Sequence, residues 1–502
     1  MRRVYPYLVP LLLAVILAVF ESDVLWTAQE QNLFLRTPLF FEQQMVKAGG
    51  LLTWMGCFLT QFFYYPMLGA GVLCLLWAFL MWLLRRTFQL EDLWLTPIPV
   101  ASLLLTITTL GYWMYYLKLP GALFDATIGT IIAVLLVGCY RLLPARFYVR
   151  SAFVVLSACI GYPLFGFYAL WGVAMMALMA WRLKSTPLVR VVDSVLALLF
   201  IIGVPLVCYH TVYHQTNIVN IYWTALPVFS FQGTRFFSYY VPYIILVASI
   251  SLMMFPLPFR GKVVRYAVVA VCAGFLALLW YKDDNFHREL SMRRSIEQQD
   301  WNRVLKTAGA VKGEPTRAMC MMQNLALFRL NKRGDEMFMY PNGVKRPNAP
   351  FPVRTVHTYG KMLYMEYGVL NYCYRWCMED GVEYGWTIER LKLMAKCSLL
   401  NGEYVAAQRF LNLLKKTCFH ASWAKEYEAM LYRPALFAND PALGPILPLL
   451  RSDNFLTADQ SQEELFLIEQ ILSSPGATRE QQELSQFTMR YYRRNRHQLA
   501  EP

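Results

Sequence analysis

The sequence predicts an all-α fold: a polytopic transmembrane helical bundle of about nine crossings, with one short helical hairpin, followed by a soluble α-helical-repeat domain. Three observations predict it. Over 502 residues, 57% of the chain is hydrophobic and the mean hydropathy is +0.35, which is too apolar for a soluble protein. Apolar stretches of membrane-crossing length fill residues 1–281. Charged residues are concentrated in residues 282–502.

Charge divides the chain into a transmembrane domain, 1–281, and a soluble domain, 282–502. The first holds 8 acidic and 17 basic residues, and the second holds 25 acidic and 30 basic residues. The net charge of +14 therefore splits into +9 and +5. Cytoplasmic loops rich in Lys and Arg explain the first value, so no nucleic-acid partner is predicted.

Apolar stretches of about 16 to 20 residues, enough to cross a ~30 Å hydrocarbon core, define most of the crossings. They are Tyr5–Phe20, Met67–Leu84, Leu93–Gly111, Ala122–Tyr140, Val192–Tyr209, Tyr239–Phe255 and Val264–Tyr281. Glu-Ser-Asp follows the first stretch in place of a small-residue cleavage site, which favours an uncleaved crossing over a signal peptide. The shorter run Leu51–Phe63 is predicted to be interfacial or re-entrant.

The stretch Ser151–Trp181 is long for one helix and short for two. Its centre, Gly161-Tyr-Pro-Leu-Phe-Gly166, breaks helices, and bases flank both ends, so we expect a hairpin of two short helices. One long tilted helix is the alternative, and it would move a basic cluster to the outer side. The hairpin keeps all basic clusters cytoplasmic: Arg2/Arg3, Arg85/Arg86, Arg141/Arg146/Arg150, Arg182/Lys184/Arg190 and Arg260/Lys262/Arg265.

This topology predicts a multi-pass protein of the cell inner membrane. The N-terminus is cytoplasmic, while the long connections 21–65 and 210–240 and the whole soluble domain are periplasmic. Within the soluble domain, Leu399–Leu411 has the small-residue turn, aromatic residue and following alanine of a tetratricopeptide helix–turn–helix. Two further segments, 298–308 and 324–334, each match half of such a unit, which indicates a degenerate helical-repeat domain.

Two acidic residues, Glu21 and Asp23, directly follow the first crossing. A carboxylate at this position is a candidate general base toward an acceptor hydroxyl, so both are predicted to be catalytic. The alternative is that they only solvate a helix end. Glu30 and Arg36 lie in the same connection and are predicted to bind substrate.

A second set of polar candidates lies in the connection 210–240. His210, His214 and Arg235 are predicted to hold the phosphate of a lipid-linked substrate. The histidines are spaced i, i+4, but no third ligand accompanies them and the 11 cysteines contain no CxxC, so no metal site is predicted. Asp125, an ionisable residue inside an apolar stretch, is a further substrate-binding candidate. The sequence leaves the cofactor unknown.

Two stretches, Gln29-Glu-Gln-Asn-Leu-Phe-Leu35 and Phe58-Leu-Thr-Gln-Phe-Phe-Tyr-Tyr65, followed by a helical-repeat region, resemble an uncharacterised family of polytopic inner-membrane proteins from Bacteroidota. The layout is more distantly similar to C-type integral-membrane glycosyltransferases. That similarity implies a catalytic acid in the first outer loop, where Glu21 and Asp23 lie, and lipid-phosphate contacts at Arg235 or His214. No Asp-Asp, Asp-Glu or Trp-Trp-Asp motif appears in this sequence in the way those enzymes show it.

Three functions are compatible with this layout. The first is a glycosyltransferase-like enzyme, which takes a sugar or glycan from a lipid-phosphate carrier in the membrane and transfers it on the periplasmic face. The second is a non-enzymatic envelope assembly or scaffold protein, whose helical-repeat domain binds a periplasmic partner protein. The third is a transporter, which the lack of an inverted repeat disfavours.

Overall fold

A computed structural model describes residues 7–90, 95, 97–108, 111–117, 122–144, 146–183, 186–255, 262–332, 336, 339–450 and 476–488. Several residues of the charge pattern lie outside the described residues: Arg2, Arg3, Lys118, Lys184 and Arg260. The chain forms two compact units. The first comprises Met1–Leu25, Arg36–Leu110 and Leu117–Tyr281, and the second comprises Trp26–Leu35, Gly111–Tyr116 and Lys282–Pro502.

Both units are helical. The first contains α1 (Leu8–Phe20), the start of α2 (Ser22–Glu30), α3 (Pro38–Gln44), α4 (Gly50–Thr60), α5 (Pro66–Phe88), α6 (Pro97–Thr108), α8 (Ala122–Leu142), α9 (Phe147–Phe165), α10 (Phe167–Arg182), α11 (Pro187–Thr211), α12 (Val241–Leu252) and α13 (Lys262–Leu279). The second contains the end of α2, α7 (Trp113–Tyr116), α14 (Asp284–Glu297), α15 (Trp301–Gly309), α16 (Arg317–Arg329), α17 (Gly360–Glu366), α18 (Leu370–Tyr384), α19 (Ile388–Leu400), α20 (Tyr404–Leu414) and α21 (Ala421–Glu428).

The predicted all-α class is confirmed for the described residues, where the paired strands are Ser230–Phe231 and Thr234–Arg235. Within the described part of the chain, four helices are long and apolar enough to cross a membrane: Pro66–Phe88, Leu123–Leu142, Tyr148–Phe165 and Pro187–Thr211. The number rises to 6 if α1 with α2, and α13 with α14, are each one broken span. Shorter apolar helices occur at Pro97–Thr106, Phe167–Arg182 and Phe237–Leu252. Nine crossings stay a prediction.

Helix α8 lies at the centre of the first unit. It packs against α4, α5, α6 and α10, and 72% of its apolar span is buried. Trp77 of α5 donates a hydrogen bond from Nε1 to Thr127 Oγ1 at 3.3 Å. Because neighbours cover α8 on several sides, a polar residue on it is shielded from solvent, and leaving it without a hydrogen-bond partner costs free energy.

The stretch 151–181 breaks at Gly166, within the predicted segment, into α9 and α10. Gly166 has a φ of +56°, and a Cβ there would lie 2.6 Å from the carbonyl oxygen of Thr224. The amide of Phe167 donates to that same carbonyl at 3.0 Å, and the amide of Gly49 donates to Pro163 O at 2.9 Å. The break therefore gathers the chain segments around residues 49 and 224 at one place.

In the second unit, successive helices pack on one another from α14 to α21. The predicted helix–turn–helix at Leu399–Leu411 is present: α19 ends at Leu400, Gly402 turns with a φ of +76°, and α20 begins at Tyr404. The tetratricopeptide assignment itself stays a prediction. Two short segments from the first half of the chain, Trp26–Leu35 and Gly111–Tyr116, are part of this unit.

Candidate functional site

Among the described residues of the first unit, Asp125, in the first turn of α8, is the buried acid that lacks a hydrogen bond. The residue is 2% exposed, and neither carboxylate oxygen has a partner among the described residues. An unpaired polar group in an apolar interior costs free energy, so such a group is a marker of a functional site. By contrast, Asp193 on α11 accepts hydrogen bonds from Tyr140 at 2.5 Å and Ser151 at 2.6 Å.

Four side chains interact electrostatically with Asp125: Lys47, Cys57, Tyr168 and Tyr243. We call these five residues the Asp125 cluster. Burial lowers the pKa of Lys47, and the nearby Cys57 and Asp125 oppose that shift. The cluster thus combines a cation, a carboxylate and two phenols, which are groups that can bind a phosphate and accept a proton.

Local geometry brings Tyr168 and helix α4 to the helix that carries Asp125. Gly129 lies four residues after Asp125, on the same face of α8, and a Cβ at Gly129 would lie 2.3 Å from the ring of Tyr168. The absence of a side chain at Gly129 therefore lets this ring lie on the face that carries Asp125. Lys47 lies two residues before Gly49, the residue that caps the N-terminus of α4 with a φ of +84°. Cys57 lies on α4 itself, and α4 packs against α8.

Glu21 is held by a structural contact. It is 4% exposed, and its Oε1 accepts a hydrogen bond from Nε1 of Trp280 at 2.7 Å. The prediction placed this carboxylate at the outer surface, where an acceptor could reach it, but the structure buries it against an indole. Asp23 lies in the first turn of α2 and is half-buried.

The four basic candidates of the connections 21–65 and 210–240 are exposed: Arg36, His210, His214 and Arg235. Arg235 donates from Nη2 to Asn220 Oδ1 at 3.0 Å, and the His210 ring lies 5.0 Å from the ring of Tyr209. The hydrogen bonds and ring contacts of the described residues do not join His214 to Arg235. Within the same residues, no group of three or more His, Cys, Asp or Glu could hold a metal ion.

Glu30 belongs to the second unit, inside a buried ion network. Lys392 Nζ lies 3.1 and 3.2 Å from the two carboxylate oxygens of Glu30 and 2.8 Å from Glu297 Oε1. His420 Nε2 lies 3.5 Å from Glu30 Oε1 and 2.7 Å from Gln29 Nε2. Burial lowers the pKa of Lys392, but the carboxylates of Glu297 and Glu30 outweigh it and raise the pKa above its usual value. We interpret Glu30 as an anchor of the segment Trp26–Leu35, because its charge is already paired.

A second buried network in this unit centres on Asp380. Its Oδ1 lies 2.7 Å from His357 Nδ1, and its Oδ2 accepts from Lys361 Nζ at 2.5 Å and lies 3.7 Å from Arg390. Burial raises the pKa of Asp380, but Lys361, His357 and Arg390 together hold it well below its usual value. Lys361 also donates to the carbonyls of Val356 and His357, each at 2.9 Å. With both carboxylate oxygens engaged, this network is structural.

Sequence reasoning named Asp125 as a candidate but did not name the other four residues of the Asp125 cluster: Lys47, Cys57, Tyr168 and Tyr243. Lys47 did carry a signal: it is among the few bases of residues 1–281 outside the basic clusters, and the glycine pair 49–50 follows it. The two tyrosines had no such signal, because aromatic residues at helix ends are typical of any membrane interface.

The family comparison agrees with the sequence interpretation at the coarse level. The model of a family of unknown function, DUF6057, matches residues 2–476, nearly the whole chain. The prediction of an uncharacterised family is therefore confirmed. No curated protein and no solved structure gives a significant match.

Proposed function

The chain belongs to this family of unknown function, and we propose that it is a polytopic membrane glycosyltransferase. In this proposal it transfers a sugar or glycan from a lipid-phosphate carrier to an acceptor at the Asp125 cluster. The observation that carries the proposal is the buried carboxylate of Asp125, which has no hydrogen-bond partner among the described residues and interacts electrostatically with Lys47.

The proposed step uses both charges. Asp125 accepts the proton of the acceptor hydroxyl, and the acceptor oxygen forms a bond to the anomeric carbon. The bond from that carbon to the phosphate oxygen breaks, and the electron pair leaves with the lipid phosphate. Lys47 neutralises that charge. Asp125 replaces Glu21 as the base because the Glu21 carboxylate already accepts a hydrogen bond from Trp280, whereas the Asp125 carboxylate has no partner among the described residues.

The other predicted residues keep supporting roles in the proposal. Asp23 stays a second candidate base. Arg36, His210, His214 and Arg235 are exposed cations or imidazoles, suited to attract a lipid phosphate before it reaches the buried cluster.

The composition of the second unit supports the topology that this function needs. A soluble unit lies on one side of a membrane, so Trp26–Leu35, Gly111–Tyr116 and Lys282–Pro502 share that side. The chain must then cross an even number of times in 36–110 and again in 117–281. Helices α5 and α6 give two crossings in the first interval, with α4 re-entrant, and α8 to α13 give six in the second. With α1, we count nine.

The proposed orientation puts the second unit in the periplasm and the N-terminus in the cytoplasm of an inner-membrane protein. In the interval 117–281, the three long helices α8, α9 and α11 each cross once. Because the total in this interval must be even, one or all three of the shorter helices α10, α12 and α13 must cross as well. Taking all three also keeps every basic cluster cytoplasmic. Asp125, Tyr168 and Tyr243 then start helices that run from the same outer side, which agrees with their interaction.

Two experiments test the proposal. Membranes that contain the protein are given a polyprenyl phosphate carrying a labelled hexose, and transfer of label to water-soluble or protein acceptors is measured. We expect Asp125→Asn to lower transfer by at least about 100-fold, while the matched control Asp193→Asn keeps its rate per folded molecule. Wild-type transfer equal to that of membranes lacking the protein would contradict the proposal. For topology, a periplasm-active reporter should be active after Tyr281 and silent after Leu183.

A non-enzymatic assembly role is the second candidate, favoured by the successive packing of α14 to α21 in the manner of helical-repeat binding domains. In that case, cells carrying Asp125→Asn would keep the wild-type envelope phenotype. Crosslinking through the second unit would capture one periplasmic partner.

A further inference from the structure

A second side chain of the first unit, that of Gln61, is also buried without hydrogen-bond partners among the described residues. Gln61 begins the short 3-10 helix Gln61–Tyr64 and is 0% exposed. Neither Oε1 nor Nε2 of its amide has a hydrogen-bond partner among the described residues. Leaving a buried amide unpaired is unfavourable, and a glutamine is not needed to fill space that leucine or methionine could fill.

Two observations place the segment that carries Gln61 beside the start of α8, where Asp125 lies. First, Gln61 follows Cys57 by four residues on a continuous helical path, and Cys57 interacts electrostatically with Asp125. Second, the ring of Phe63 lies 5.2 Å from the ring of Phe124, the residue before Asp125. Gly69 makes room for Phe63, because a Cβ there would lie 2.1 Å from that ring.

We propose that Gln61 and Asp125 form a hydrogen-bonding subsite for a polyhydroxylated ligand, the sugar ring of the donor. An amide offers two donors and an acceptor, and a carboxylate offers acceptors, so together they complement adjacent sugar hydroxyls. Lys47 contacts the phosphate, and Gln61 distinguishes a glycosylated lipid phosphate from a bare one. This inference rests on the proposed function and adds the residue that selects the sugar.

The test compares two probes on the purified full chain: a polyprenyl phosphate carrying one hexose, and the same polyprenyl phosphate without sugar. Binding is measured by native mass spectrometry. We expect the wild type to bind the glycosylated probe about 10-fold or more tightly than the bare probe, because the bare probe leaves the buried amide of Gln61 unpaired. Gln61→Leu should lose this preference and keep its affinity for the bare probe, while Lys47→Met should weaken both.

Stability provides the control that separates a binding residue from a structural one. If Gln61 serves a ligand, Gln61→Leu removes an unpaired buried amide, so the empty protein should unfold at the same or a higher temperature. A lower unfolding temperature of Gln61→Leu would show that Gln61 stabilises the empty protein through a bound water, and it would overturn the inference. A Gln61→Leu variant that still prefers the glycosylated probe would also overturn it. If the wild type binds neither probe, the proposed function fails as well. If it binds both probes equally, only the role of Gln61 fails.

Discussion

The second unit should not fold from its C-terminal sequence alone. A fragment that begins at Lys282 lacks the segments Trp26–Leu35 and Gly111–Tyr116, which supply part of the unit's interior. Five aromatic side chains of these segments contact residues of the C-terminal part. Trp26 lies under Arg293 and Arg294, Tyr112 contacts Phe286, Trp113 and Tyr116 contact Phe351, and Tyr115 contacts Tyr359.

The magnitude follows from burial. Each of these five side chains is at most 7% exposed. Burying a large apolar side chain stabilises by about 1.5–3 kcal/mol, so the five together contribute roughly 8–15 kcal/mol. A typical domain is stable by only about 5–15 kcal/mol. Loss of the segments also leaves Lys392 without Glu30, one of its two carboxylate partners.

The assay is thermal unfolding followed by circular dichroism, together with limited proteolysis. The fragment 282–502 should show no cooperative transition and rapid cleavage. The matched control joins residues 26–35 and 111–116 to the same fragment through flexible linkers, and it should unfold cooperatively. A fragment 282–502 that unfolds cooperatively within a few degrees of the control would refute the reasoning.

Three further substitutions test the networks and the site geometry. Lys392→Met should destabilise the second unit by about 3–5 kcal/mol, because it leaves the carboxylate of Glu30 buried without its cation. Asp380→Asn should remove the pH-dependent contribution of Asp380 to the free energy of unfolding. The folded-state pKa of this acid is depressed, so its stabilisation is complete above the unfolded pKa of about 3.9 and is lost as the pH falls below it. Gly129→Ala should displace the ring of Tyr168 and reduce transfer by 10-fold or more.

Each substitution has its own control and measurement. Adding Glu30→Gln to Lys392→Met should recover part of the stability that Lys392→Met loses, as measured by unfolding curves of the single and double variants. If the two substitutions lower the free energy of unfolding additively, the network between these residues is contradicted. Unfolding of Asp380→Asn between pH 5 and 2 should be flatter than that of the wild type, and parallel curves would exclude a depressed pKa. Gly71→Ala is the match for Gly129→Ala, because a Cβ at Gly71 meets nothing within 4 Å. If Gly129→Ala and Gly71→Ala transfer the sugar at equal rates, Tyr168 is not part of the proposed site.

The sequence was sufficient for features with a local cause. Bilayer-length apolar runs predicted the long helices α5, α8 and α11, and a proline flanked by glycines predicted a break that the structure places at Gly166. The turn at Gly402 followed from local helix–turn–helix chemistry. In each case the determining residues are neighbours in the chain.

Features with a distant cause could not be read in this way. Glu21 looked exposed because it follows an apolar run, but its partner Trp280 is far along the chain. Glu30 looked like part of an outer binding loop, but Lys392 pairs with it and His420 lies beside it. A paired and an unpaired acid are identical in sequence, so only three-dimensional contacts could separate Asp125 from the other acidic candidates.

The two segments inserted in the second unit also impose an order on biosynthesis. Trp26 and Tyr112 emerge from the ribosome long before Phe286 and Arg293, the residues that cover them. During elongation these aromatic side chains stay uncovered, a state that invites aggregation or chaperone binding. Pairings of such long sequence separation also slow folding. The second unit can therefore complete its core only after most of the chain has been synthesised, and a prematurely terminated chain should be degraded by proteases.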